Sequence, residues 1–510
     1  MDGKRRKTQM QLAFSETGEG EAHNPPQQGA ESSRAERSTE RPAKAVGLME
    51  VITSPENMKK ALKRVMKNKG APGVDGMTTA ELPSWLNQHW SRMKGELLVG
   101  AYKPQPVRRV GIPKPDGGHR YLGIPTVVDR LIQQAILEVL TPIFDPHFSD
   151  SSYGFRPGRS AHQAVAKAQS YIEEGKRWVV DLDIERFFDN VNHDALMARV
   201  ARKVDDKVLL KLIRAYLKAG VMEGGPLSPP EMGTPQGGPL SPLLSNIYLD
   251  DLDRELKKRG HSFVRYADDC NIYVASERAG KRVMGGIARF LQKRLKLRVN
   301  GEKSAVDRAS RRDFLSFTFT GGERPKRRIS GKARKRFRRR VKEITRRTRG
   351  VSLEQVVAEL NTFLRGWIGY FGFCQTPSVL QNLDKWIRRR LRCFIWKQWR
   401  RGRTRYAGLR ARGLGMDLAA ITAGSSRSHW CMSTSPGMNS AFPKNLLLRT
   451  RTYLLGGPLL RLTLPNRRVR TRTHGGVTGK AREGLPMSSM LIALNIDDCT
   501  FPPGGYSVEY

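Results

Sequence analysis

The sequence predicts an α+β protein in which an antiparallel sheet with flanking helices is followed by an all-α domain. Three observations carry this. Up to about residue 320, helical and strand patterns are interleaved, and two apolar strands there meet around a tight acidic turn. Beyond Gly322 the apolar periodicity is helical, beneath a strongly basic surface. At 510 residues the chain exceeds what one hydrophobic core usually holds, so two or three domains are expected.

Taken in order, residues 1–46 are rich in Gln, Glu, Ser, Pro and Ala and have few large apolar side chains. They cannot bury enough surface to offset ordering entropy, which predicts a disordered leader. Next, Ser54 can cap a helix and Pro55 can open it, with Met58, Ala61, Leu62, Val65 and Met66 at helical spacing. This helix should stop in the turn Lys69-Gly70-Ala71-Pro72-Gly73. Val128, Leu131, Ile132, Ala135, Ile136, Val139 and Leu140 predict a core-packing helix that ends before Pro142.

Strand signals follow. Trp178-Val179-Val180-Asp181-Leu182-Asp183-Ile184 alternates apolar residues with acids. Phe263-Val264-Arg265-Tyr266 and Asn271-Ile272-Tyr273-Val274 flank Ala267-Asp268-Asp269-Cys270 as a hairpin. Between these strands, Ser241 as cap and Pro242 predict a helix carrying Leu244, Ile247, Tyr248 and Leu252. From 324 to 349 there are fifteen Lys or Arg and one acid, Glu343. Leu360, Phe363, Leu364, Trp367, Ile368 and Phe371 then share one helical face. A further helix, from 383 to about 399, should place Ile387, Leu391, Phe394 and Ile395 inside and Arg388, Arg389, Arg390, Arg392 and Lys397 largely outside. After about residue 446 periodicity fades. The expected segments are 1–46, 47–322, 323–400, a basic region 401–445 and an irregular tail 446–510.

Ninety-one Lys and Arg against 48 Asp and Glu leave a net charge of +43. Such an excess self-repels unless a polyanion neutralises it, and phosphate backbones are the usual one. No stretch approaches the run of about 18 apolar residues that a spanning helix needs, so no membrane role is expected. Five scattered cysteines with no C-x-x-C pair offer neither a disulfide framework nor a zinc site. The opening MDGKRRK lacks an apolar targeting core, and cytoplasm is the expected compartment.

In so basic a chain, carboxylates at the ends of apolar strands need a reason, because a buried unpaired charge costs several kcal/mol. Asp181 and Asp183 lie two apart and share a strand face, while Asp268 and Asp269 sit at a hairpin tip able to approach it. Carboxylates around one point suit Mg2+, which shares its coordination with substrate phosphates. Two such ions, about 4 Å apart, serve in-line phosphoryl transfer. Taken alone, an Asp-Asp turn paired with surface arginines is the simpler reading.

The ordered set overturns that reading. The acid strand through Glu185-Arg186-Phe187-Phe188-Asp189, the loop Gly233-Thr234-Pro235-Gln236-Gly237-Gly238-Pro239-Leu240, and Tyr266-Ala267-Asp268-Asp269 resemble reverse transcriptase motifs A, B and C in order and approximate spacing. Lys69-Gly70-Ala71-Pro72-Gly73-Val74-Asp75-Gly76 resembles the N-terminal extension of non-retroviral members. Ile112-Pro113-Lys114-Pro115-Asp116-Gly117-Gly118-His119-Arg120 and Tyr153-Gly154-Phe155-Arg156-Pro157-Gly158-Arg159 resemble blocks of the group II intron-encoded enzymes called maturases. Leu364-Arg365-Gly366-Trp367-Ile368-Gly369-Tyr370-Phe371 is similar to their thumb, or X, domain. The resemblance spans roughly residues 55–440. It implies a right-hand polymerase, with fingers and palm in 47–322 and a helical thumb in 323–400.

The resemblance also implies roles. Asp183, Asp268 and Asp269 would hold two Mg2+ ions, with Ile184 contributing its backbone near the triphosphate. Phe188, five residues on from Asp183, would lie under the incoming sugar and exclude a ribose 2′ hydroxyl. Lys114 and Arg120, and similarly Arg156, fall where nucleotide phosphates are met. Gln236 and Gly237 would approach the template base pair, and Lys303 the departing pyrophosphate. The basic side chains Arg324, Lys326, Arg327, Arg328, Lys332, Arg334, Lys335, Arg336, Arg338, Arg339 and Arg340 suit an RNA backbone irrespective of family.

The expected function is RNA-directed DNA polymerisation combined with binding of a host group II intron RNA for splicing and mobility. Deoxynucleoside triphosphates and a DNA target are the further partners, and the oligomeric state is left open. One alternative is a splicing cofactor without polymerase activity, against which the intact acidic triad speaks. Another is the reverse transcriptase of a different bacterial retroelement, against which the long helical domain speaks. Cys374, Cys393, Cys431, His429 and His474 lack paired ligand spacing, so no C-terminal endonuclease is expected.

Overall fold

The computed structural model of the chain describes residues 45, 47–113, 119–219, 221–222, 227–228 and 237–443. The expected tail lies outside the described residues, as does the leader apart from Ala45, which bridges Val204. The described residues form two compact units. One takes in the residues up to Ala168 together with Trp178–Asp307; the other takes in Gln169–Arg177 and the residues from Arg308 onward.

The first unit opens with α1 (Leu48–Ile52) and α2 (Pro55–Asn68). The Ser54 hydroxyl accepts from the Asn57 N–H and Pro55 opens α2, as the sequence predicts, burying Met58, Ala61, Leu62 and Val65. Helix α3 (Leu82–Leu98) leads to the antiparallel strands β1 (Val107–Pro113) and β2 (His119–Ile124). Next comes α4 (Val127–Phe144), capped by Thr126. The expected end before Pro142 is corrected, because Pro142 lies inside the helix. In the last turn a proline removes only one N–H bond, and the helix ends two residues later.

After α5 (Ala161–Glu173) come β3 (Trp178–Leu182), α6 (His193–Val200), α7 (Lys207–Lys218), β4 (Val221–Met222) and β5 (Leu227–Ser228). In α8 (Ser241–Lys258) a second expectation is corrected. Leu240 occupies the cap position, and Ser241 is already helical, its carbonyl accepting from the Ser245 hydroxyl at 2.8 Å. The hairpin is β6 (Ser262–Tyr266) and β7 (Asp269–Val274), followed by α9 (Glu277–Phe290) and β8 (Ala305–Arg308). One sheet has the order β2-β1-β4-β5 and the other β6-β7-β3-β8. Strand β7 is central, antiparallel to both β6 and β3, which is why Val180, Val264 and Ile272 are fully buried. Helices α1, α2, α4 and α8 supply Ile52, Leu62, Leu131 and Leu249 to the same core.

The second unit contains the antiparallel pair β9 (Phe317–Phe319) and β10 (Arg327–Ile329), then helices only. These are α10 (Gly331–Ile344), α11 (Leu353–Phe371), α12 (Pro377–Gln398), α13 (Gly402–Arg410), α14 (Met416–Gly424), α15 (His429–Met432) and α16 (Pro436–Ala441). Phe337, Val341, Leu360, Leu391, Trp396 and Met438 share its core.

The expectation that the α12 arginines lie largely outside is corrected for two of them. Arg388 and Arg392 are buried. Arg388 pairs with Asp384 at 2.5 Å, and Arg392 donates to the Ser433 carbonyl and to Asn439. The C-terminal helices pack on this face, and guanidinium groups satisfy their carbonyls. Arg389 lies 3.9 Å over the Trp430 ring, and Arg390 donates to Thr345. No helix of the described residues is long and apolar enough to cross a membrane.

Candidate active site

Strand β3 ends at Leu182, directly opposite Cys270 of β7, so Asp183 leaves the sheet one step beyond that pair. Tyr266 pairs with Asp269 across β6 and β7, which leaves a two-residue loop of Ala267 and Asp268. Antiparallel register therefore brings Asp183, Asp268 and Asp269 to one end of the sheet. Ala267 has φ 56°, a left-handed conformation that tight hairpin loops require and that a Cβ disfavours.

The loop 297–304 holds Asp183 from one side. The Asp183 N–H donates to the Ser304 hydroxyl at 2.9 Å, and the Asp183 carbonyl accepts from the Asn300 N–H at 2.9 Å. The Glu185 N–H donates to the Arg298 carbonyl, closing an antiparallel bridge between Ile184 and Val299. In such a bridge the flanking residues supply the bonds, which directs Ile184's own peptide groups away from Val299. Its side chain is buried in the core. Burial raises the Asp183 carboxyl above the usual range, while the positive charge of Lys303 and a hydrogen bond from Asn300 pull it partly back. Exposed Lys303 thus stands close enough to Asp183 to act on its charge. Asp268 and Asp269 are half-buried.

Behind the hairpin sits a charge cluster that sequence reasoning missed. Arg265, on β6, is fully buried. Its Nε and Nη2 donate to the two oxygens of Asp253 at 2.7 and 2.6 Å. Nη1 donates to Asn246 Oδ1 and to the Ala267 carbonyl, and Nη2 also donates to the Ser152 hydroxyl. One guanidinium therefore ties α8, the segment at Ser152 and the hairpin loop together. The available signal was a lone arginine inside the apolar run Phe263-Val264-Arg265-Tyr266.

The other expected residues are distributed as follows. Arg186, with φ 42°, turns the chain into a 3-10 turn at Phe187–Asp189. Phe187 is buried against Tyr248, and half-buried Phe188 meets Phe187 edge-on with centroids 5.2 Å apart. Gly237, at φ 128°, lies so near the Gly123 carbonyl on β2 that a side chain would collide with it. Gln236 and Lys114 lie outside the described residues, as does the side chain of Arg120, whose backbone pairs with Ile112. Arg156 is buried, donating to the Asp145 carboxylate at 2.7 Å and to the carbonyls of Asp145, Ser149 and Ser152. That guanidinium braces its own loop.

Among the expected RNA-binding side chains, Arg324, Lys326, Arg328, Lys332, Lys335, Arg338, Arg339 and Arg340 are exposed. Arg334 and Arg336 are half-buried, and Arg336 donates to Ser316. Arg327 is a strut rather than a free cation. It donates to Gln169 at 2.6 Å and to the Phe373 carbonyl, with its guanidinium 3.8 Å over the Phe373 ring.

Among the described residues, no three His, Cys, Asp or Glu side chains already converge closely enough to hold a metal ion. The donor set nevertheless suits Mg2+, which takes one or two carboxylates and completes its octahedron with water and substrate phosphate. A half-buried carboxyl raised by desolvation, as Asp183 is, gains its ionised form when a cation arrives.

Comparison with known proteins agrees with this geometry. Residues 112–319 match the family described as reverse transcriptase (RNA-dependent DNA polymerase). Residues 334–413 match the group II intron maturase-specific domain. Protein YkfC of Escherichia coli is 34% identical over 299 residues, covering 51% of this chain and 78% of that one. Group II intron-encoded protein LtrA of Lactococcus lactis is 37% identical over 208 residues, covering 41% and 34%. A putative COX1/OXI3 intron 1 protein of Saccharomyces cerevisiae is 32% identical over 216 residues, covering 40% and 26%. The matched region thus spans about a third or less of the two intron-encoded relatives.

Fold and motif order define an RNA-directed DNA polymerase of the right-hand type, fingers and palm followed by a helical domain. Within that class, the chain belongs to the group II intron-encoded reverse transcriptases, or maturases.

Proposed function

We propose that this chain extends a primer with deoxynucleotides on an RNA template and binds its host group II intron RNA to promote splicing and mobility. The observation that carries the polymerase reading is the register Leu182 to Cys270, which puts Asp183 beside the Asp268-Asp269 tip. Asp183, Asp268 and Asp269 would hold two Mg2+ ions, with the Ile184 backbone beside them. The chemistry such ions would supply there is activation of the primer 3′ hydroxyl and neutralisation of the departing pyrophosphate. Lys303 lends positive charge on the phosphate side, and Lys114 and Arg120 engage the triphosphate. Half-buried Phe188, seated on Phe187, packs where a 2′ hydroxyl would stand. Gln236 and Gly237 approach the template base pair.

Intron RNA lies along the exposed cations of α10, which track a phosphate backbone without reading its sequence. The basic helices from residue 401 to 443 contact the DNA target. The compartment is the cytoplasm, in keeping with free, dispersed thiols at Cys270, Cys374, Cys393 and Cys431.

The deciding experiment is Asp268→Ala. Primer extension on an RNA template with Mg2+ should be abolished, while affinity for intron RNA persists. Near-normal extension by this variant would remove the catalytic assignment. Wild-type protein that aids splicing but never extends a primer would leave only the RNA-binding role.

A further inference from the structure

Phe155 combines three features that do not ordinarily coincide. The residue is 44% exposed, although phenylalanine is among the residues most often buried. Its backbone is left-handed, at φ 58°, which is an outlier for a bulky side chain. Yet the segment around it is immobilised. The Tyr153 N–H donates to the Arg265 carbonyl at 2.9 Å, and Asn246 Nδ2 donates to the Gly154 carbonyl at 2.8 Å. Gly154 is pressed against the hairpin so closely that a Cβ there would lie 3.0 Å from the Tyr266 carbonyl carbon. On the other side, Arg156 is locked by its bonds to Asp145, Ser149 and Ser152.

A loop fixed on both flanks could have turned this ring into the core, yet it presents the ring to solvent at a backbone cost. Strain of this kind collects at sites that contact ligands. Arg186 and Ala267, near the acidic residues, carry it too, as do Lys69 and Lys296 where left-handed residues end helices. The ring's partner is Tyr266, with centroids 6.4 Å apart and planes tilted by 48°, and Tyr266 pairs directly with Asp269. Phe155 therefore stands beside the strand end from which the Asp268-Asp269 tip projects.

We infer that Phe155 is a contact for the paired primer–template, packing its ring against sugar and base edges just behind the primer 3′ end. This rests on the polymerase reading above. A duplex whose 3′ hydroxyl meets the hairpin carboxylates comes within reach of a ring that packs on Tyr266, the residue paired with Asp269. The bases of that duplex are paired, so their faces are closed to stacking. An RNA–DNA hybrid is near A-form, however, and its minor groove is wide and shallow, displaying sugars and base edges to a flat apolar ring. A contact of this sort holds duplex without reading sequence.

The test uses the full chain and a primer–template ended with a dideoxynucleotide, so that binding is read without chemistry. Phe155→Ala and Phe155→Gly should each weaken duplex binding by about fivefold to tenfold, the worth of burying part of an aromatic side chain. Phe155→Tyr and Phe155→Trp should bind like wild type. Phe155→Gly relieves the left-handed backbone, so its thermal midpoint should match or exceed wild type, separating lost contact from lost fold. With an extendable primer, KM for primer–template should rise more than KM for deoxynucleotide.

Binding of Phe155→Ala and Phe155→Gly within twofold of wild type would overturn the inference. An equal loss for single-stranded RNA would overturn the duplex assignment. Wild-type protein that binds the blocked duplex through Phe155 but cannot extend an open one would overturn the polymerase reading and leave this contact standing.

Discussion

At the scale of single residues, the site is a few charges in unequal environments. Arg265 and Asp253 are both fully buried, and breaking such a pair leaves one charge uncompensated. Arg265→Met should therefore lower the unfolding free energy by about 3–5 kcal/mol, read by urea denaturation. Adding Asp253→Leu should recover most of that stability. Primer extension should stay low even so, because the Ala267 carbonyl and Ser152 hydroxyl have lost their donor; full recovery would make the pair a stability device only. Asp183 is raised by burial and restrained by Lys303. Its protonated fraction grows as pH falls, so extension should decline on the acid side. Lys303→Met removes the restraint and should move that acid limb to higher pH in a rate profile at fixed Mg2+. For Phe188→Ala, discrimination against ribonucleotides should fall by up to about a hundredfold, measured by paired incorporation assays. Unchanged discrimination would make Phe188 a packing residue.

At the scale of elements, one charge pattern serves two ends. Helix α10 buries Ala333, Phe337, Val341 and Ile344 and leaves Arg338, Arg339 and Arg340 exposed. Replacing those three by Gln should reduce the slope of log affinity against log salt for intron RNA by about two units, with little change in thermal midpoint. An unchanged slope would place the RNA surface elsewhere. Helix α12 also carries a run of arginines, but Arg388 and Arg392 point into protein. Arg392→Ala should therefore destabilise the C-terminal helices, seen as early amide exchange, without altering the salt slope. Periodicity identifies the apolar face of a helix, whereas it cannot tell whether the polar face meets water or another helix. That limit explains why Arg388 and Arg392 of α12, expected outside, lie inside. Pro142 and Ser241 illustrate a smaller version, since propensity marks a helix end only to within a turn.

At the scale of the molecule, the two units have separate cores, one built around β7 and the other around α10, α11 and α12. Residues 446–510 lie outside the described structure, and their sequence shows neither helical nor strand periodicity. A chain ending at Asn445 should keep the thermal midpoint, primer extension and splicing assistance of the full chain. Loss of any of the three would assign the tail a working role.

The sequence by itself determined the fold class, the order of the acidic strand, glycine loop and hairpin, and the family. These are local patterns: alternation, spacing, and glycines where backbone must approach backbone. Asp268 and Asp269 were legible because two strands on either side of a tight turn can only form a hairpin. Choosing Asp183 over Asp181 needed the resemblance, and the register that places Asp181 inside the ladder, opposite Asn271, came with the structure. Only tertiary structure decided which charges are internal. Ser152 and Arg265 meet across 113 positions, as Gln169 and Arg327 do across 158. A guanidinium's role depends on which carbonyls and carboxylates surround it once distant segments pack. That is a property of the assembled core, and no local spacing encodes it.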